Sequence, residues 1–493
     1  MSEIRPMRVL LIKSFSLLSK VTAASPPLGV MALAAYLRRE AGADVRILNP
    51  RFSEKPLDEL RRTLGEFKPH LVGLSALTAE AHVMHLMARE VRAAAPDALL
   101  AAGGPHASAY YEAALGSGDI DVAVIGEGEL TLLEIVRRLE ADGVAALRSP
   151  EALSQIAGVA YLEDAGERKI LLSAPRPLIE DLDSLPLPAW DLVDLKPFWK
   201  HHGMSNIGYR PYMAIYSSRG CPFQCSYCHN LFGKRFRARS AENVVEEIVE
   251  IERRMGVKDI EFFDDIANMD RKRINAILEG LLARGMHPRL SFPNGIRADR
   301  MEEDTIDLLK KVGTGEISVA IESATPRIQK LVGKNLNIEK ASLTIERLAA
   351  RRIYARGFFM IGFPTETEAE IRQTIDFACA SKLHTAMFYA VNPYEGTRMK
   401  RQFVELGKFG SDLNTIDYEF FGAPFNGSEV DDETFRELYR SAYARFYLNP
   451  VRMARIARDR PYKRDIPYRI AALITQVVSF KRLQEKRVEA RLS

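Results

Sequence analysis

Short apolar runs alternate with longer stretches in which apolar residues recur every three or four positions, and this holds over most of the chain. The short runs read as buried strands and the long ones as amphipathic helices. In residues 1–148 the strands fall at 8–12, 44–48, 71–75, 98–102 and 121–125. The helices fall at 28–40, 57–67, 80–95 and from about 129 to 142. Five strand–helix units predict an α/β fold with a doubly wound, Rossmann-like parallel sheet. Ligands of such sheets lie beyond the carboxyl ends of the strands.

Residues 149–205 read differently. A short helix and a small hairpin, 158–162 returning through Gly166 to 169–172, precede Pro175, Pro177, Pro186 and Pro188. The prolines interrupt any regular element, so this segment is expected to be a linker that acts as a semi-rigid spacer. From 206 to 410 the alternation resumes. Strands are expected at 212–216, 258–263, 289–292, 316–321, 355–361 and 386–391, with helices at 271–284, 302–312, 338–351 and 366–381. A further helix is expected to run to Met255, with Ser240 as its N-cap. Six such units predict a partial, open (βα)6 barrel, whose functional residues cluster at the carboxyl ends of its strands. Residues 411–493 read as a mainly helical, basic region, with one helix at 434–447.

The chain has 493 residues, 47% of them hydrophobic and 27% charged, as in ordinary globular proteins of two to four domains. The net charge of +4 is too small to imply nucleic acid. No N-terminal signal and no membrane-spanning apolar stretch is apparent. Charge is nevertheless uneven. Twelve basic and four acidic residues follow position 450, giving +8 there and leaving the rest near −4. An apolar patch at 470–478 lies between those basic flanks. The first expectation is a helix packed on the barrel with its arginines in solvent. Peripheral contact with an anionic membrane surface is the alternative.

The distinctive chemistry lies in Ser217-Ser218-Arg219-Gly220-Cys221-Pro222-Phe223-Gln224-Cys225-Ser226-Tyr227-Cys228-His229-Asn230. Three of four cysteines sit here, spaced CxxxCxxC. Four cysteines so distributed argue for a reducing cytoplasm rather than a disulfide scaffold. Thiolates are soft ligands for iron–sulfur clusters or zinc. A zinc site would need a fourth ligand such as His229, and no second ligand pair is present. Three thiolates on a cubane leave one iron open to an exogenous chelating group. Cys379, inside an expected helix, reads as a small buried side chain.

This stretch resembles the signature of the radical SAM superfamily, with an aromatic residue before the last cysteine. The resemblance implies that Cys221, Cys225 and Cys228 hold a 4Fe-4S cluster and that Tyr227 lies against the adenine of S-adenosylmethionine. Asp264 or Asp265 would bind the methionine amine, and Arg297 the carboxylate. Glu322 would take the ribose hydroxyls, and the stretch around Gly362 would border the adenine. Asn294 and Ser323 complete the polar strand ends. In the first segment, Pro27-Leu28-Gly29, Ser75 and Thr78, Gly103-Gly104 with His106, and Gly126-Glu127-Gly128 together look like a cobalamin-binding domain. The DxHxxG motif of that domain family is absent, since Lys13-Ser14-Phe15-Ser16-Leu17-Leu18 stands in its place. His106 on its own reads as a packing residue.

The whole plan is similar to the cobalamin-dependent branch of the superfamily. What that implies is a radical SAM C-methyltransferase working through a 5′-deoxyadenosyl radical and methylcobalamin. The alternative is an oxidative cyclase or ring-rearranging enzyme without methyl transfer. A non-catalytic sensor is the remote third reading, and no output module is visible. An external electron donor of flavodoxin or ferredoxin type is implied. The substrate is expected to be a small molecule, lipid-like compound or peptide.

Overall fold

The computed structural model describes residues 6–16, 24–164, 168–205, 210–229, 231–408 and 426–462. The apolar patch at 470–478, and the membrane contact proposed for it, lies outside the described residues. Among those that are described, no helix is long and apolar enough to cross a membrane.

The first sheet has seven strands: β1 (Arg8–Lys13), β2 (Asp44–Leu48), β3 (Leu71–Ser75), β4 (Leu99–Gly103), β5 (Val122–Val124), β6 (Val159–Asp164) and β7 (Arg168–Leu172). Their order is β2-β1-β3-β4-β5-β6-β7, with β1 to β5 parallel. Strand side chains alternate between faces, and β1 shows the consequence. Val9 and Leu11 pack with helices Leu28–Ala41 and Glu129–Leu147. Leu10 and Ile12 pack with helices Pro56–Phe67 and Ala81–Ala94 on the other face. Each of these strand side chains, once buried, contributes about 1.5–3 kcal/mol. Chain order reverses between β1 and β3, which opens a crevice at their carboxyl ends.

The hairpin expected within the linker is part of this sheet. β6 pairs antiparallel with β5, and β7 with β6. It covers an edge that would otherwise expose unpaired backbone groups. Nor is the proline-rich connector a free spacer. Trp190 and Leu195 are buried in the second core beside Met31 of the first domain. The Ala189 amide donates to the Met31 carbonyl at 3.1 Å.

The second sheet contains β8 (Tyr212–Ile215), β11 (Asp259–Phe262), β12 (Arg289–Ile296), β13 (Glu316–Glu322), β14 (Tyr354–Ile361) and β15 (Thr385–Ala390). All are parallel and adjacent in chain order, and β8 does not pair with β15, so the barrel is open. A two-residue ribbon, β9 (Ser218–Arg219) against β10 (Arg237–Ala238), lies beyond the end of β8. Ser240 caps helix Ala241–Met255 through the Asn243 amide, as expected. The barrel floor is closed. Glu261 accepts from the Met204 and Ser205 amides at 3.0 and 2.9 Å, and Glu316 pairs with Arg356. Only the carboxyl-end mouth is left for function.

Helices Asp432–Tyr447 and Pro450–Asp459 cover the β15 edge. The Tyr439 and Tyr443 hydroxyls donate to the Phe388 carbonyl, and Tyr447 donates to Ala386, each at 2.9 Å. Fully buried His384 joins these helices to the sheet. Its Nδ1 accepts from the Ala355 amide at 3.0 Å, and its Nε2 lies 3.2 Å from Asp459. Burial pulls the imidazole pKa down from 6.5 to about 4, against the attraction of Asp459 and with Arg455 and Arg458 nearby. The unfolded chain therefore takes up this proton first as pH falls. The contribution of His384 is complete well above pH 6.5 and declines toward pH 4, by about 2.5 kcal/mol at pH 4.5. Urea unfolding between pH 7 and 4.5 should show this slope, and His384→Gln should reduce it. An equal slope in the variant would assign the effect to other groups.

Candidate functional site

The three cysteines leave β8 on a loop whose shape is fixed by close approaches. Gly220 has φ +82, and a Cβ there would stand 2.2 Å from the Arg235 carbonyl oxygen, so only glycine fits. Its amide donates to Asp265 at 3.1 Å. Further along, the Ser226 amide donates to Val332 at 2.8 Å, and the Ser226 carbonyl accepts from Met399 at 2.9 Å. The loop is thereby pinned to segments that follow β13 and β15. Cys221 and Cys225 are half-buried and Cys228 is exposed, all three as free thiols. Desolvation, with Cys225 adding to it, pushes the half-buried Cys221 thiol up.

These residues fit an iron–sulfur cluster by the chemistry of the donor set. Three soft sulfur donors sit on one short loop, close enough for the charge of one to act on the others. Among the described residues no three His, Cys, Asp or Glu side chains, the cysteines included, converge on a single metal ion. His229, the candidate fourth ligand for zinc, lies against Tyr394 with ring centroids 5.6 Å apart.

The polar strand ends surround this loop, but several are already engaged. Asp264 is buried and accepts from the Ser217 amide at 2.8 Å and from the Ser217 and Ser218 hydroxyls. It holds the ribbon that carries the cysteines rather than facing an amine. Asp265 is the exposed member of the pair. Arg297 pairs with Asp299 at 3.0 Å, donates to the Asn335 carbonyl and lies 3.8 Å from the Phe223 ring centroid. That arrangement supports the loop from below and takes up the guanidinium expected to bind a carboxylate. Asn294 donates to the Phe263 carbonyl at 2.8 Å. Ser323 is fully buried between Thr325 and Thr374, a packing role.

Glu322 is held at φ +66 where the β13–β14 register shifts. Backbone strain of this kind costs about 1–3 kcal/mol and clusters at functional sites. Its carboxylate accepts from Lys334 at 2.9 Å, and Lys334 stands 3.5 Å from the Tyr227 hydroxyl. Lys334 had no signal in the sequence. It lies in a turn twelve residues beyond Glu322, and only the fold brings it back. Tyr227 also faces Phe363 at 6.1 Å. The Gly362 amide donates to Glu366 at 2.8 Å, and burial raises that carboxyl to about 8.

In the first domain the strand ends form a cradle. An added Cβ at Gly29, Gly103 or Gly126 would meet nothing within 4 Å. Gly104 is different, since its Cβ would come within 3.0 Å of the Ser75 hydroxyl. Open space at these glycines, Gly29 in the first turn of a helix and Gly103 and Gly126 at strand ends, fits a bulky ligand lying on the backbone. Thr78 opens a short turn on the same side. Other expected contacts are turned inward. Pro27 and Leu28 are buried at the start of their helix, and Gly128 packs on Leu33. His106 is fully buried, stacks on Tyr110 at 5.3 Å, and has its pKa lowered to about 4 by burial. Neither of its ring nitrogens has a hydrogen-bond partner among the described residues. Glu127 is buried in bonds to Arg219, Arg237 and the Ile179 amide.

With two parallel sheets opening toward a cysteine loop, the class is that of a radical enzyme joined to a corrinoid-binding sheet. The description "Radical SAM superfamily" matches residues 215–378, and "B12 binding domain" matches residues 16–136. An uncharacterised methyltransferase of Pyrococcus horikoshii is 30% identical over 428 residues, covering 86% of this chain and 88% of that one. An anaerobic magnesium-protoporphyrin IX monomethyl ester cyclase of Cereibacter sphaeroides is 28% identical over 368 residues, 73% of this chain and 57% of that one. The radical S-adenosylmethionine methyltransferase TsrM of Kitasatospora setae, solved with cobalamin and a [4Fe-4S] cluster, superposes with TM-score 0.66 at 20% identity, covering 82% and 78%. The chain belongs to the radical SAM superfamily, in the branch that carries a B12-binding domain. It is an enzyme of that family, whose cofactors are S-adenosylmethionine, a 4Fe-4S cluster and cobalamin.

Two substitutions separate ligation from support. Cys225→Ala should abolish the cluster absorbance and electron paramagnetic resonance signal after anaerobic reconstitution. An unchanged spectrum would sink the ligand assignment. Asp264→Ala leaves three buried donors unpaired, so it should lower stability by roughly 1–3 kcal/mol and reduce iron content without abolishing it.

Proposed function

We propose that this enzyme methylates an unactivated carbon of a small-molecule substrate. The observation that carries the reading is that side chains from the two strand-end surfaces meet: Arg219, two residues before Cys221, bonds to the loop that follows β5. When bound, the cofactors supply the chemistry: a donated electron cleaves S-adenosylmethionine, a substrate hydrogen is removed, and a methyl group is delivered from the corrinoid.

The chain's own residues bind and exclude. Cys221, Cys225 and Cys228 hold the cluster. Tyr227, Asp265, Glu322, Lys334 and Gly362 line the S-adenosylmethionine site, with Lys334, held by Glu322, in place of Arg297 as its cation. Ser75, Thr78, Gly103, Gly104 and Gly126 line the corrin cradle. The first domain is taken to include the β6–β7 hairpin. The floor built from Glu261, Glu316 and Arg356 excludes water from below. An external electron donor of flavodoxin or ferredoxin type serves the cluster. The alternative, cyclisation without methyl transfer, is favoured by the similarity to the magnesium-protoporphyrin ester cyclase; the Pyrococcus relative, more similar over more of the chain, favours methyl transfer.

Anaerobic reconstitution with iron, sulfide and cobalamin, followed by reduction with S-adenosylmethionine, should yield 5′-deoxyadenosine. With substrate the product should gain one methylene unit. A product that has only lost hydrogen would replace methyl transfer by cyclisation, and no 5′-deoxyadenosine would defeat both.

A further inference from the structure

Four charged side chains tie the cysteine ribbon to the first domain. On the barrel side, Arg219 of β9 and Arg237 of β10 are partners in the antiparallel register. Two like charges side by side on so short a ribbon repel. Between them comes Glu127, from the loop after β5. Its Oε1 accepts from Arg219 at 3.0 Å and from Arg237 at 2.9 Å. Its Oε2 accepts from Arg237 at 3.0 Å and from the Ile179 amide at 2.9 Å. Glu129 takes the other arm of Arg219 at 2.6 Å. All four side chains are at most 10% exposed.

Each end of this clamp is one residue from a cofactor surface. Gly220 alone separates Arg219 from Cys221, and it is locked by the Arg235 backbone and by Asp265. Gly126, immediately before Glu127, faces the open cradle, and its amide is held by the Ser108 hydroxyl at 3.0 Å. The same turn therefore offers backbone to the corrin site and side chains to the cluster loop. Buried guanidinium–carboxylate forks are directional, unlike apolar packing that slides.

We propose that Glu127, acting through Arg219 and Arg237, is a positioning residue that sets the distance between the cluster and the corrin. The inference rests on the cofactor reading above and replaces the expectation that Glu127 touches cobalamin. Glu127 holds neither cofactor. Its work is to keep the strand-end surfaces of two different sheets in one register, where a displacement of about 1 Å can lower a transfer rate on the order of 10²-fold.

The test uses the reconstituted full chain and does not require the substrate. Iron and cobalamin content, cobalamin affinity, and the dipolar interaction between the reduced cluster and cob(II)alamin are measured for wild type, Glu127→Gln and Arg237→Lys. Glu127→Gln keeps the shape but removes the charge between two arginines. Arg237→Lys keeps the charge but removes the fork. The expected result is wild-type cofactor content in both, with the single dipolar splitting of the wild type lost to a broad, weaker distribution. 5′-Deoxyadenosine formation should persist. An unchanged splitting in both variants would overturn the proposal. So would loss of cobalamin affinity in Glu127→Gln while Arg237→Lys keeps an unchanged splitting, because Glu127 would then contact the corrin directly. Should Glu127→Gln fail to fold, Arg237→Lys decides alone. A wild-type chain that binds no cobalamin would overturn the cofactor reading itself, and this inference with it.

Discussion

Two buried carboxylates hold the cysteine loop from opposite sides, and the rest of the site depends on their remaining bonded. Asp264 gathers the Ser217 amide and the Ser217 and Ser218 hydroxyls from within the barrel. Glu127 gathers Arg219 and Arg237 from across the domain boundary. Removing one partner of a buried pair leaves an uncompensated charge at a cost of about 3–5 kcal/mol. The loop therefore cannot drift toward either sheet without losing a bond that water is not there to replace. A loop that must present three thiols to a preformed inorganic group benefits from that restraint, because its own sequence, rich in small and polar residues, supplies little packing.

The same logic organises the barrel in depth. Its floor is polar but its charges are engaged, Glu261 by the Met204 and Ser205 amides and Glu316 by ion pairing with Arg356. Above it the inward positions of β14 and β15 turn apolar, with Phe358 and Tyr389 in edge contact at 6.0 Å. The polar groups return at the mouth, where Glu322 and Lys334 stand near Tyr227 and Asp265 holds the Gly220 amide. Polarity thus lies at both ends of the barrel, engaged in protein contacts at the floor and open to a ligand at the mouth beside the cysteines. The C-terminal helices serve a different need, using tyrosine hydroxyls to cover the β15 edge of an open barrel.

Much of this was legible beforehand. Every parallel strand of both sheets was expected within a few residues of where it lies, because buried strands show as continuous apolar runs. The cysteine spacing pointed to its chemistry because ligand geometry is set over eight consecutive residues. What the spacing could not show was which polar side chains already have partners. Arg297 and Ser323 looked available until Asp299, Phe223, Thr325 and Thr374 were seen to occupy them. The β6–β7 hairpin looked like linker because nothing local says that β5 has an open edge.

By itself, the sequence determined the two strand-and-helix units, the thiol triad and the small residues at the strand ends, since each is written in spacing along a few turns of chain. Only the tertiary structure decided which charged side chains are spent on holding the molecule together and which are left for ligands. Glu127 and Arg219 are 92 residues apart and Lys334 and Tyr227 107 apart. A hydrogen bond or ion pair has no period in the sequence, and its partner is chosen by where folding happens to bring opposite charge out of water.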